Sequence, residues 1–162
     1  MKRTLLLLAI CVSLLSGCGS TARTSRLGIT LDRRIGAVRE GESKSNVDAA
    51  LGHGAERRVN NRGTYVVYAQ AKLRVGFYTD RGHQFAIEID TRSPQYTTGS
   101  GIGVGSTLGQ LRRRIDVTCD VADPTTCHHP STISNDTSTG TVFKIDPGTK
   151  RVTEIDILPV AG

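Results

Sequence analysis

Apolar residues recur three and four apart in two short stretches of this chain and two apart across much of the rest. The first stretch carries Val47, Ala50 and Leu51. Ser43 ahead of it suits an N-cap, and Gly52 behind it can take the left-handed backbone that ends a helix. In the second, Leu108, Leu111 and Ile115 share one face, and Thr107 with Gln110 has the T-x-x-Q spacing of a capping box. Two short amphipathic helices are therefore predicted, each followed by β pattern. After the first, Val59 leads into an Asn60-Asn61-Arg62-Gly63 turn, then Thr64 to Tyr68. Leu73, Val75 and Phe77 then alternate inward, and an Asp80-Arg81-Gly82 turn leads to Phe85, Ile87 and Ile89. After the second come Thr141 to Ile145, an Asp146-Pro147-Gly148 turn, and Val152 to Leu158.

Aligning Gly41 with Gly105 pairs Ser43 with Thr107, Val47 with Leu111, Leu51 with Ile115, Phe77 with Phe143 and Gly82 with Gly148. The expected fold is α+β: a tandem repeat, about residues 27–92 and 99–160, of a short helix followed by an antiparallel β-meander. The helices are expected to pack on one face of the sheet. Thr91 to Ser100, with Ser93-Pro94 and few apolar residues, is expected to be a connector.

The first residues follow a different logic. Lys2 and Arg3 precede an apolar run of 11 residues, Leu5 to Leu15. As a helix it spans roughly 16 Å, about half of a bilayer's hydrocarbon core, so it suits an export signal better than a membrane anchor. Leu15-Ser16-Gly17-Cys18 matches the bacterial lipobox. The expectation is a signal peptide over 1–17, cleavage after Gly17, and diacylglyceryl lipid on the thiol of Cys18. Residues 18–26, small, polar and basic, are expected to form a lipidated tether, and 27–162 a single domain. Two acyl chains anchor stably where one does not. The domain is thus expected in the cell envelope, held to a membrane on its extracytoplasmic side.

The chain carries 21 Lys and Arg against 15 Asp and Glu, and only 4% of its residues are aromatic. Its basic residues cluster briefly, at Arg33-Arg34, Arg57-Arg58 and Arg112 to Arg114. Nucleic-acid binding calls for a basic stripe interleaved with stacking aromatics, so these clusters read as solvated surface. Gly101, Gly103 and Gly105 precede a helix, but no lysine follows at phosphate-loop spacing, and no cofactor or small-molecule substrate is expected.

Once Cys11 has left with the signal and Cys18 is lipidated, Cys119 and Cys127 remain, and outside the cytoplasm two remaining thiols most simply pair. The rival is a metal site from Cys119, Asp123, Cys127, His128 and His129. C-x7-C-H-H does not match usual zinc spacings, and adjacent histidines on an extended chain point apart, so no metal ligand is assigned. Glu88 with Asp90 and Glu154 with Asp156 each face one side of a strand. They could be acid/base machinery, but a solvated sheet face is the expected reading and no catalytic residue is assigned. Arg74 and Tyr78, alternating with the inward Leu73, Val75 and Phe77, are the candidate partner-binding residues. Tyr65 and Tyr68 suit a core equally well.

The pattern IG-x-V-x-x-G-x-S-x-x-x-V-x-x-x-LG over Ile35 to Gly52, with the L-x-V-x-F strand over Leu73 to Phe77, resembles the two-copy fold of beta-lactamase inhibitor proteins and small SmpA/OmlA-type envelope lipoproteins. That resemblance implies helices on one sheet face, the other face open for protein contact, and no catalysis. The expected function is a non-catalytic protein-binding or envelope-assembly module with an envelope or extracellular partner. The alternatives are an inhibitor of a secreted enzyme and, less favoured, a metal-dependent hydrolase using the histidine loop.

Overall fold

The computed structural model describes residues 27–130 and 138–160. The predicted signal, the tether and Cys18 lie outside the described residues. The described residues begin with β1 (Leu27–Thr30), β2 (Arg34–Ile35) and β3 (Val38–Arg39), then α1 (Lys44–Leu51). Four strands follow: β4 (Ala55–Arg58), β5 (Gly63–Tyr68), β6 (Leu73–Asp80) and β7 (His83–Thr91). After β8 (Tyr96–Thr98) and α2 (Leu108–Arg114) come β9 (Thr118–Cys119), β10 (Thr126–His129), β11 (Ser138–Ile145) and β12 (Val152–Val160).

The strands form an eight-stranded sheet, β4-β5-β6-β7-β12-β11-β10-β9, and a four-stranded sheet, β3-β2-β1-β8. The large sheet is antiparallel throughout, and the small one is antiparallel except where β1 runs parallel to β8. This overturns the expected tandem helix-plus-meander with helices as the covering layer. The structure is about half strand and 12% helix, and it is organised by two sheets.

The physical reason lies in how little each helix can cover. α1 is eight residues long and buries Val47 alone, while the predicted stripe residue Ala50 is exposed. α2 is seven residues long and buries only Leu111, with Ile115 buried just beyond its end. Their caps are nonetheless sound: Ser43 accepts from the Asn46 amide, and Thr107 and Gln110 make both bonds of a capping box. The remaining apolar area of the large sheet is covered by the small one. Ile29, Ile35, Val38 and Tyr96 share one core with Val75, Phe77, Ile89, Phe143, Ile155 and Ile157.

The expected connector is therefore part strand. Tyr96 is fully buried, its hydroxyl donates to the Ala71 carbonyl at 2.6 Å, and its ring packs against Gly36. A Cβ at Gly36 would meet that ring at 2.9 Å, and its backbone has φ of 59°, so glycine is needed there twice over. On the opposite side the large sheet has no covering layer of helix or strand among the described residues. No helix among the described residues is long and apolar enough to cross a membrane.

A bulge decides what that open face carries. Gly76 pairs with Glu88, but Phe77 pairs with Ala86, so the β6–β7 register shifts at Ile87. Ala86 is consequently buried, and Phe85 and Ile87 are more than a third exposed.

Candidate functional site

The two longest hairpins of the large sheet, β6–β7 and β11–β12, meet along β7 and β12 with Asp90 directly opposite Asp156. Because directly opposed residues share a sheet face, one row runs His128, Val142, Asp156, Asp90, Arg74, Val67 across the open side. Glu88 and Glu154 lie two residues along from the central pair on that face. Four carboxylates are thus gathered by strand pairing. The expected solvated face is not what forms: Asp90 and Asp156 are each only 5% exposed.

Arg74 organises the cluster. Its Nε donates to Asp90 Oδ2 at 2.6 Å, and its Nη2 lies 3.6 Å from Glu88 and 3.8 Å from Glu154. Its guanidinium stands 5.0 Å over the Tyr65 ring, and the Tyr65 hydroxyl donates to Glu88 at 2.6 Å. Arg92 holds Glu154 Oε2 at 2.7 Å. Asp156 has no such partner: its Oδ1 is buried and makes no hydrogen bond among the described residues. Burial raises the Asp90 carboxyl to about 6 despite Arg74. Burial, with Glu154 and Asp90 alongside, raises Asp156 to about 7. The hydrogen bond to Glu88, with burial, pushes the Tyr65 hydroxyl to about 12. Oxygens of Asp90, Glu154 and Asp156 all lie within 4.8 Å of one another, a spacing compatible with a shared ion.

Beside this cluster the same face holds a groove of about 540 Å³ lined by Val59, Asn60, Arg62, Tyr65, Tyr78 and Ile87, among others. Tyr78 faces it as alternation predicts and accepts a hydrogen bond from Arg62 Nη1 at 3.0 Å. Arg74 also faces outward but is engaged by acids, so it is not a free anchor. Of the two undecided tyrosines, Tyr65 lies on the open face. Tyr68 is core, donating to Asp48 of α1 at 2.7 Å.

Cys119 and Cys127, directly opposed on β9 and β10, are joined by a disulfide. Both sulfurs are occupied, and the rival five-residue metal set does not assemble. His128 and His129 point to opposite faces of β10, His128 bonding Asp120 at 3.1 Å and His129 Nδ1 bonding Asp32 at 2.8 Å. Asp123 is taken up by Thr125 and Thr126 of its own turn. Glu88, Asp90, Glu154 and Asp156 are each picked out by alternation, but alternation alone implies a solvated face and does not bring the two pairs together into one partly buried cluster. Its one signal was the tripeptide Glu-Ile-Asp occurring at both 88–90 and 154–156.

These features define a two-sheet, mainly antiparallel β protein whose uncovered face carries a partly desolvated acidic cluster and an aromatic groove. No protein family and no curated protein matches the sequence. Among solved structures, the chain is similar to a cysteine-rich secretory protein from Staphylococcus aureus subsp. aureus Mu50, at 10% identity and a TM-score of 0.47. The match covers 74% of this chain and 44% of that one. This chain therefore spans less than half the length of that protein.

Proposed function

We propose that this protein is a bacterial lipoprotein, tethered to a membrane through lipid on Cys18, that binds an envelope or extracellular protein without catalysing a reaction. The observation that carries the binding reading is the groove on the uncovered sheet face, where Tyr65, Tyr78, Ile87 and Val59 meet beside Arg62. Aromatic and arginine side chains over a desolvated patch are the composition that anchors protein partners. Export is supported by the positive, apolar and lipobox segments in order, and by the Cys119–Cys127 disulfide, which suits an oxidising compartment.

The test has two arms in the living host. A photo-crosslinking amino acid at Ile87 should trap one discrete protein that the same group at exposed Glu56 does not; no adduct, or identical adducts, would remove the groove from the reading. Labelling with a fatty-acid analogue should mark the wild type and spare Cys18→Ser. Equal label on both would end the anchor claim.

A further inference from the structure

We propose that Asp90, Glu154 and Asp156 bind a hard divalent cation, calcium in preference to magnesium, at the junction of β7 and β12 on the open sheet face. Three observations lead there. The ligand atoms are all carboxylate oxygens, the donor type of calcium and magnesium rather than zinc or copper. They are fixed by the pairing of two long strands, Asp90 against Asp156, so the cluster is assembled before any ion arrives. And Asp156, one of the three, is 95% buried and has an Oδ1 with no donor among the described residues.

The surrounding charges fit the same occupant. Glu88, Asp90, Glu154 and Asp156 face Arg74, Arg92 and Lys144, four negative groups against three positive. Arg74 holds Oδ2 of Asp90 and Arg92 holds Oε2 of Glu154, which fixes both side chains beside Asp156. Three oxygens evenly spaced at the 4.8 Å limit would each stand about 2.8 Å from a central ion, so a closure of about 0.2 Å brings them to calcium's ~2.6 Å. Magnesium, at ~2.1 Å, needs them within about 4.2 Å and in near-octahedral order. The site is separate from the groove lined by Val59 and Tyr78, so cation binding stands or falls independently of the partner.

Equilibrium dialysis of the full-length chain in detergent, stripped with chelator and titrated with radioactive calcium, decides the matter. One saturable site per chain is expected, with Asp156→Asn and Glu154→Gln each weakening it tenfold or more. Asp80→Asn, which removes an equal charge at an exposed turn, should leave it unchanged. Terbium luminescence, excited through tyrosine in a chain with no tryptophan, gives a second readout that does not depend on unfolding. Calcium should raise the wild-type melting temperature and leave that of Asp156→Asn unmoved, which also verifies that the variant folds. Absence of saturable binding, or equal binding by Asp156→Asn and wild type, would overturn the site; magnesium binding as tightly as calcium would overturn the stated preference.

Discussion

Replacing Arg74 by Ala separates two descriptions of the open sheet face. Were Arg74 simply an exposed strand residue, the change would fall within about 0.5 kcal/mol. In the structure it is the cation that balances buried Asp90, so its removal leaves a carboxylate without its donor. Breaking a fully buried pair in this way costs about 3–5 kcal/mol. The Arg74 side chain is 42% exposed, so water screens a good part of that, leaving about 2 kcal/mol. Loss of the guanidinium from the Tyr65 ring adds about 0.5 kcal/mol.

The total, about 2–3 kcal/mol, should depend on pH with a definite sign. Asp90 titrates near 6 in the folded chain against 3.8 ordinarily. Folding therefore takes up protons between those values, and stability declines as pH rises through 6. Without Arg74 the folded carboxyl rises further, so in the variant Asp90 keeps costing stability above the point where its contribution levels off in the wild type. The deficit is largest at pH 8 and shrinks towards 1 kcal/mol or less (roughly) at pH 5, where Asp90 is mostly neutral in both chains. Urea unfolding in chelator should place the Arg74→Ala midpoint about 1–2 M below wild type at pH 8 and close to it at pH 5. Tyr78→Ala, on the same strand and face, is the control and should move little at either pH. A deficit no larger than that of Tyr78→Ala at pH 8, or one equal at both pH values, would refute the buried-pair reasoning.

Two further outcomes follow from the fold. Replacing both Cys119 and Cys127 by Ala should lower unfolding free energy by about 2.5 kcal/mol, the chain-entropy value for so short a ring; an unchanged urea midpoint would show that the crosslink constrains nothing. Thr107→Ala removes both the side-chain acceptor and the geometry of its capping box, and should reduce stability by about 1 kcal/mol, read as a lower melting temperature.

Local structure was more legible than the layers. The caps at Ser43 and Thr107, the turn at Asp146-Pro147-Gly148, the inward alternation of Leu73, Val75 and Phe77, and the outward Tyr78 all rest on interactions within a few residues. The small sheet does not. β2 and β3 are two residues each and β8 is three, too short to display a period of two, and β1 finds its parallel partner β8 across more than sixty residues of chain. Without that sheet in view, the two helices appeared to be the only available cover, and the fold class was misjudged. The β6–β7 bulge hid itself similarly: Phe85 and Ile87 look like core in an alternating strand, and only the shifted register at Gly76 and Phe77 turns them outward, Ile87 into the groove.

The carboxylates failed for another reason, one that bears on what the face is for. Glu-Ile-Asp has the same alternation whether its polar side is wet or closed, so a single copy says nothing. Two copies, at 88–90 and 154–156, say more once their strands are known to pair antiparallel, because Asp90 then stands opposite Asp156. Like charges directly opposed across strands destabilise a sheet. A chain that keeps such a pair at its central seam must neutralise it, and there are three ways: a proton, a basic side chain, or a bound cation. Arg74 supplies the second for Asp90 but does not hydrogen-bond Asp156. Lys144 acts on Asp156 through space without bonding its buried Oδ1, so for that oxygen the proton and the cation remain. They are distinguishable, since a proton is released as pH rises towards 8 while a cation is held more firmly there. A wild-type chain that weakens with rising pH in chelator, and regains stability when calcium is added at pH 8 but gains little at pH 5, would show both occupants competing for one oxygen cluster.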